Sequence, residues 1–315
     1  MNKQTANQYY TRLISFEKFI VSHYSNKNNN VNLDNFIQEV KENKFDVYKI
    51  LSDYSIYLSE KINLHTTTLK QRVVTVKNFL EFHDIDISPR KFKIKVKLPK
   101  NIKRNNKEAI DKNDIVSILN GCSDFKLKTY VMLLAVTGAR ATEALSIREK
   151  DIDFESDPSK IKIRGEFTKT KTDRYVFITK ELKEQLIKWL DFKYRKRRIC
   201  YRDQNGKTIT EYRTPEQNPN ELIFSLYQTD TPRPETLYNN IAIVFAKTLD
   251  RIGLSSREDG RNENRREITL HSFRSYVKST ISDLGYSDYS EWFIGHSGST
   301  YWRKKDSEKA ELFKK

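Results

Sequence analysis

Residues 90–107 carry nine lysines and arginines and not one acid. Such a run resists burial, because an unpaired charge taken out of water is strongly penalised. Its like charges also repel one another and favour extended conformations. The apolar residues must therefore gather on either side of it, in two separate cores. A chain of 315 residues is long enough for that, since one core usually serves about 100–200 residues. Within the run, KFKIKVKL alternates like a short strand and Pro99 interrupts the sequence. Its cations are Arg90, Lys91, Lys93, Lys95, Lys97, Lys100, Lys103, Arg104 and Lys107. A basic connector of this kind can lie along nucleic-acid phosphates and help a clamp close on a duplex. The other reading is a solvated linker without a ligand.

The front segment, residues 1–88, reads as a small helical domain. Tyr9, Leu13, Phe16, Phe19 and Ile20 recur at helical spacing until SNKNNNVN breaks the pattern. Asp46 is a candidate N-cap for a run that places Val47, Ile50, Leu51, Tyr54, Tyr57 and Leu58 on one face. After His65 come Leu69, Val73, Val74, Val76, Phe79 and Leu80. The back segment, residues 108–315, opens on Asp111, a second candidate N-cap. Residues 131–136 are apolar on all sides, which predicts a core helix. KIKIRGEF and RYVFIT flank TKTKTD as the arms of a β-hairpin. Helices are expected over about 180–194, 234–252 and from His271 onward, with a polar excursion over about 196–221 that contains the turn signal Asn205-Gly206. The expected fold is mainly α with a small β-sheet or hairpin, in two domains joined by the basic linker at 89–107.

Lysine and arginine total 58 against 42 acids, a formal charge of +16. A field of that sign attracts polyanions, chiefly nucleic acid and less often anionic membrane or ribosome. No stretch approaches the roughly 18 apolar residues that span a bilayer, so no membrane partner is expected. The two cysteines are far apart and the N-terminal residues lack the apolar core of a signal peptide. Both features fit a reducing, cytoplasmic setting. No GxxxxGK[ST] loop, zinc-ligand spacing or magnesium-collecting acid cluster stands out, so neither a metal nor another cofactor is expected.

Several short motifs carry chemistry. Arg140 closes the core helix in TGARATEAL, with Glu143 three residues on. A guanidinium held by a helix end is a permanently charged fork that matches two phosphate oxygens. His271 and Arg274, in HSFR, share one helix face and can reach one ligand. An imidazole beside a guanidinium suits a site where a phosphate gains charge and a proton moves. In FIGHSGSTYWRK, His296 follows a glycine and Tyr301 lies five residues further on.

TGARATE, TKTKTDR between two strands, HSFR, IGHS and STY occur in that order. This arrangement resembles the tyrosine recombinases, the phage-type integrases, over residues 108–315 and more loosely over the front domain. The resemblance implies a two-domain clamp, an N-terminal helical DNA-binding domain followed by a catalytic domain. It implies that Tyr301 attacks a DNA phosphodiester and becomes joined to the 3′-phosphate. Arg140 and Arg274 would grip the phosphate, His271 would assist proton transfer, and His296 would donate a hydrogen bond. A hairpin lysine would protonate the leaving 5′-oxygen. Lys169 is preferred over Lys171 for that task, and Glu143 is given a supporting role, with an ordinary helix-surface glutamate as the other reading. Double-stranded DNA is the implied partner, with self-association into a tetramer during strand exchange. The enzyme would sit with the nucleoid when bound to DNA. The five-residue step from His296 to Tyr301 is shorter than the usual one and resembles some archaeal and viral integrases. Cis or trans delivery of the tyrosine stays open. Two other functions fit part of the pattern: a type IB topoisomerase-like enzyme and a DNA-binding regulator that does not cut.

Overall fold

Apolar side chains at helical spacing build the front of the chain. The computed structural model describes residues 3–24, 33–100, 109–168, 171–226, 233–257, 266–296 and 302–315. These fall into two compact units, one holding the described residues up to 100 and the other those from 109 onward. Helices dominate both, with small antiparallel sheets in the second.

The first unit contains α1 (Lys3–Tyr24), α2 (Leu33–Lys41), α3 (Val47–Glu60), α4 (Thr66–Phe82) and α5 (Pro89–Lys95). Phe16, Phe19 and Ile20 of α1 pack with Phe36 of α2, Leu51, Tyr54 and Leu58 of α3, and Leu69, Val73, Val76 and Leu80 of α4. Asp46 caps α3 by accepting a hydrogen bond from the backbone N–H of Tyr48 at 2.9 Å. Val74 of α4 stands out on the solvent side, 42% exposed, because its neighbour Val73 holds the buried position.

The strand-like reading of KFKIKVKL is corrected by α5. Ser88 caps this helix and Pro89 supplies a pre-set φ in its first turn. The alternation hid an i, i+4 pair: Phe92 packs against the core and Val96 is buried in it, whereas Ile94 is 70% exposed. Beyond the helix, Ser55 of α3 donates to the carbonyl of Lys97 at 3.0 Å. The first part of the basic run is thus folded onto this unit. Arg90, Lys91, Lys93, Lys95, Lys97 and Lys100 are all exposed there. Lys103, Arg104 and Lys107 lie outside the described residues.

In the second unit, α6 (Lys112–Gly121) starts with a reciprocal cap between Asp111 and Asp114. Next comes α7 (Phe125–Thr137), the apolar core helix, whose Tyr130, Val131, Leu133 and Leu134 are wholly buried. It ends at Gly138, whose φ of +58° is left-handed and favours glycine. A short α8 (Ala141–Leu145) follows. Three strands then form an antiparallel sheet: β1 (Ile152–Asp153), β2 (Lys160–Ile163) and β3 (Arg174–Phe177). Ile161 pairs with Val176 and Ile163 with Arg174, so the expected hairpin is present and carries one additional strand. After α9 (Lys180–Lys193), the polar excursion contains a second hairpin, β4 (Arg197–Arg202) with β5 (Thr208–Arg213). Four helices complete the unit: α10 (Pro234–Arg251), α11 (Ser272–Asp283), α12 (Ser287–Ile294) and α13 (Asp306–Lys314). The last packs on its own unit, with Phe313 against Phe177 at 5.6 Å and Phe293 at 5.8 Å. No helix among the described residues is long and apolar enough to cross a membrane.

Candidate active site

Gly138 lets the chain turn sharply out of α7, and two residues later Arg140 occupies the N-cap position of α8. One turn into α8, Glu143 has no exposed surface. A carboxylate at that depth must be paired. It is paired with two guanidinium groups: Arg140 Nη1 donates to Oε1 at 2.5 Å, and Arg174 Nη2 donates to Oε2 at 2.7 Å. The backbone N–H of Arg140 also donates to Oε2 at 3.2 Å. Burial alone would raise the Glu143 pKa, but the Arg174 and Arg140 cations outweigh it and hold the carboxyl below its ordinary value.

A third guanidinium joins from α11. Arg274 is buried, and its Nη1 donates to the carbonyl of Gly138 at 2.8 Å. Desolvation, with repulsion from Arg140 and Arg174 against the pull of Glu143, lowers its pKa to about 10. It stays charged at neutral pH. Its Nη2 and the Nε of Arg174 are buried and meet no hydrogen-bond acceptor among the described residues. Three cations therefore face one carboxylate, and two of them keep buried donors without an acceptor among the described residues. This is a site with capacity for an oxyanion.

The glycine of the GH pair belongs to the same construction. Gly295 ends α12 with φ +73°, and a Cβ placed there would come 2.7 Å from Arg174 Nε. Only a glycine lets that guanidinium lie against the backbone. The next residue, His296, has Nδ1 2.6 Å from Glu291 Oε2. Glu291 also pairs with Lys278. Lys278, opposed by desolvation and aided by His296, keeps the Glu291 carboxyl below its ordinary value.

The structure brings Arg140, Glu143 and Arg274 together, and joins His296 to them through Gly295 and Arg174. His271 sits at the head of α11, one turn before Arg274, with an exposed side chain. Lys171 lies in a left-handed turn, φ +52°, and its exposed side chain makes no hydrogen bond or ion pair among the described residues. Lys169 and Tyr301 lie outside the described residues. Sequence reasoning missed Arg174, Glu291 and Lys278. Arg174 is an arginine at the start of a predicted strand, 31 residues from its partner Glu143. A cation entering the buried face of a short strand was the available signal.

The family model described as the phage integrase family matches residues 108–287. Among curated proteins, the tyrosine recombinase XerA of Saccharolobus solfataricus is 34% identical over 131 residues, 42% of this chain and 41% of that protein. The chain thus spans less than half the length of that relative. Solved structures with a similar fold include XerH recombinase bound to a difH substrate after cleavage, with TM-score 0.59 and 14% identity over 98% of this chain and 75% of that one. The Tn1549 transposon integrase in complex with transposon right end DNA gives 0.55 and 17%, over 95% and 97%. A lambda integrase dimer bound to a COC′ core site gives 0.53 and 16%, over 94% and 98%. At these identities the likeness bears on the fold.

Proposed function

The chain belongs to the phage integrase family, and from that premise we propose that it is a site-specific DNA recombinase working through a covalent 3′-phosphotyrosyl intermediate. The observation that carries the proposal is the gathering of Arg140, Arg174 and Arg274 around the fully buried carboxylate of Glu143. A phosphodiester resists attack because it is already negative and its alkoxide leaves poorly. Fixed guanidinium groups answer the first difficulty, since they need no reorganisation as charge develops.

In the proposed reaction Arg140 and Arg274 hold the two non-bridging oxygens. The Tyr301 phenol oxygen bonds to phosphorus as the bond to the 5′-oxygen breaks. The phenol proton passes to His271, and a hairpin lysine, Lys169 or Lys171, protonates the departing 5′-oxygen to release a 5′-hydroxyl. His296, oriented by Glu291, donates a hydrogen bond to the phosphate. The reverse sequence with a new 5′-hydroxyl restores the DNA, and the phosphotyrosyl bond preserves the energy of the broken linkage. No nucleotide is needed.

The proposed partners are double-stranded DNA and further copies of the chain. A tetramer matches four strand cleavages, one for each strand of two duplexes, and lambda integrase has been solved as a tetramer bound to a Holliday junction. The second unit is assigned the chemistry, while the first unit and the basic run at 89–107 are assigned the grip on flanking duplex. The setting is the cytoplasm, on the nucleoid.

The test is a suicide duplex, nicked beside the cleavage position so that the released fragment diffuses away. Wild-type protein should form an adduct that survives denaturation. Tyr301→Phe should form none while still binding the duplex. Adduct formation undiminished in Tyr301→Phe would remove that residue as the nucleophile.

A further inference from the structure

Residues 195–213 form a feature that the site leaves unused. They hold seven lysines and arginines against two acids. Their strands β4 and β5 pair in a regular antiparallel register, from Arg197 opposite Arg213 to Arg202 opposite Thr208. No side chain of the two strands joins the buried core. A two-stranded ribbon without a core is marginal by itself, yet this one is tied firmly at its root. Arg197 donates to the carbonyls of Leu226 and Lys193 at 2.5 and 2.6 Å. Lys193, itself buried, donates to Leu222 O at 3.0 Å and pairs with Glu221 at 2.9 Å.

The two faces of the ribbon differ. Residues directly opposite one another share a face, so Arg198 lies with Tyr212, Cys200 with Thr210, and Arg202 with Thr208. All six are exposed. This face contains two guanidinium groups, two threonine hydroxyls, a phenol and no carboxylate. Neither Arg198 nor Arg202 has an ion-pair partner among the described residues. The acids are disposed elsewhere. Glu211 is on the opposite face and pairs with Arg213 at 2.6 Å. Asp203 is consumed by the turn, where it accepts from the backbone N–H groups of Asn205 and Lys207.

We infer that the Arg198, Arg202 and Tyr212 face of this hairpin is a second DNA contact, binding duplex phosphates independently of the arginine cluster around Glu143. The inference rests on the reading of duplex DNA as the substrate. Charge complementarity selects the ligand, because a ribbon face with two guanidinium groups, three hydroxyls, the Cys200 thiol and no carboxylate offers the donors that phosphate and sugar oxygens accept. The shape agrees, since a two-stranded ribbon fits the major groove, and six residues per strand extend roughly 20 Å along it.

The experiment measures binding of the full chain to a fluorescent duplex over a range of KCl concentrations. Each phosphate contact contributes about 0.9 to the slope of log affinity against log salt. Arg198→Ala/Arg202→Ala should flatten the slope by about 2 relative to wild type and weaken binding at low salt. Arg198→Lys/Arg202→Lys should restore most of the slope. Lys180→Ala/Lys188→Ala, which removes the same charge from the exposed surface of α9, should change the slope less. If the hairpin double variant keeps the wild-type slope, or loses no more than the α9 variant, the inference is overturned while the recombinase reading stands. A hairpin variant that changes the sedimentation coefficient but not the salt slope assigns the ribbon to a protein partner and also overturns it. Wild-type protein that binds no duplex removes the recombinase reading and this inference together.

Discussion

Glu143→Gln isolates the electrostatic logic of the site, because it keeps the shape of the side chain and removes its charge. In the wild-type protein the carboxylate has no exposed surface and accepts from Arg140 and Arg174 at 2.5 and 2.7 Å. A glutamine amide would present an NH2 group to one of these donors, leaving that contact unpaired. Removing one partner of a buried ion pair costs about 3–5 kcal/mol. The Arg140 side chain is 27% exposed and that of Arg174 10%, so water screens part of the effect and the lower end, about 3 kcal/mol, is the expected loss. For a unit of roughly 200 residues this corresponds to a fall in Tm of roughly 6–12 °C. Calorimetry at pH 7 measures it directly. The pH dependence supplies an independent check with a definite sign. The folded-state pKa of Glu143 is held below its ordinary value of 4.5, so its stabilisation is present above that value and disappears as pH falls through the folded pKa. The gap in Tm between wild type and Glu143→Gln should therefore be constant from neutral pH down to about 5 and close below it. A variant that melts within 1–2 °C of wild type at pH 7, on the order of 0.5 kcal/mol, would refute the claim that three guanidinium groups depend on this carboxylate.

Two further substitutions probe the same cluster. Arg174→Ala removes a charge-assisted hydrogen bond worth about 1.5–3 kcal/mol, so single-turnover adduct formation should slow roughly 10- to 100-fold. Arg174→Lys should recover only part of that rate, because the charge returns without the planar fork; full activity in Arg174→Ala would exclude Arg174 from positioning the site. Gly295→Ala places a Cβ 2.7 Å from Arg174 Nε in a left-handed backbone, costing about 1–2 kcal/mol in conformation alone. It should lower both Tm and adduct rate, and a normal rate would show that the close approach is dispensable.

What could be read from the sequence was whatever left a local mark. The caps at Asp46 and Asp111, the all-apolar α7 and the hairpin around β2 and β3 each follow from a few neighbouring residues. The motif order pointed to Arg140, Arg274 and His296 for the same reason, since each sits in a short distinctive phrase. Features that depend on distant partners were hidden. The helix α5 was masked by its alternating lysines, and only the burial of Val96 and exposure of Ile94 distinguish helix from strand. The β4–β5 ribbon escaped because both its faces are wet, which removes the inside-outside alternation that betrays a strand. Arg174 looked like a strand-end cation, and its meaning depends on a carboxylate 31 residues earlier.

That missed residue changes how the site is understood. With Arg140 and Arg274 alone, Glu143 would neutralise half of the charge offered to a phosphate. With Arg174 present, the carboxylate can bind two guanidinium groups on one side while the cluster still carries excess positive charge. Glu143 then has a reason to be buried. It fixes cations that would otherwise repel one another, so the arrangement is held by the protein's own groups. The pKa of Arg274 is lowered to about 10 chiefly by burial, with repulsion from Arg140 and Arg174 adding to it. An oxyanion placed among these guanidinium groups would offset that excess positive charge.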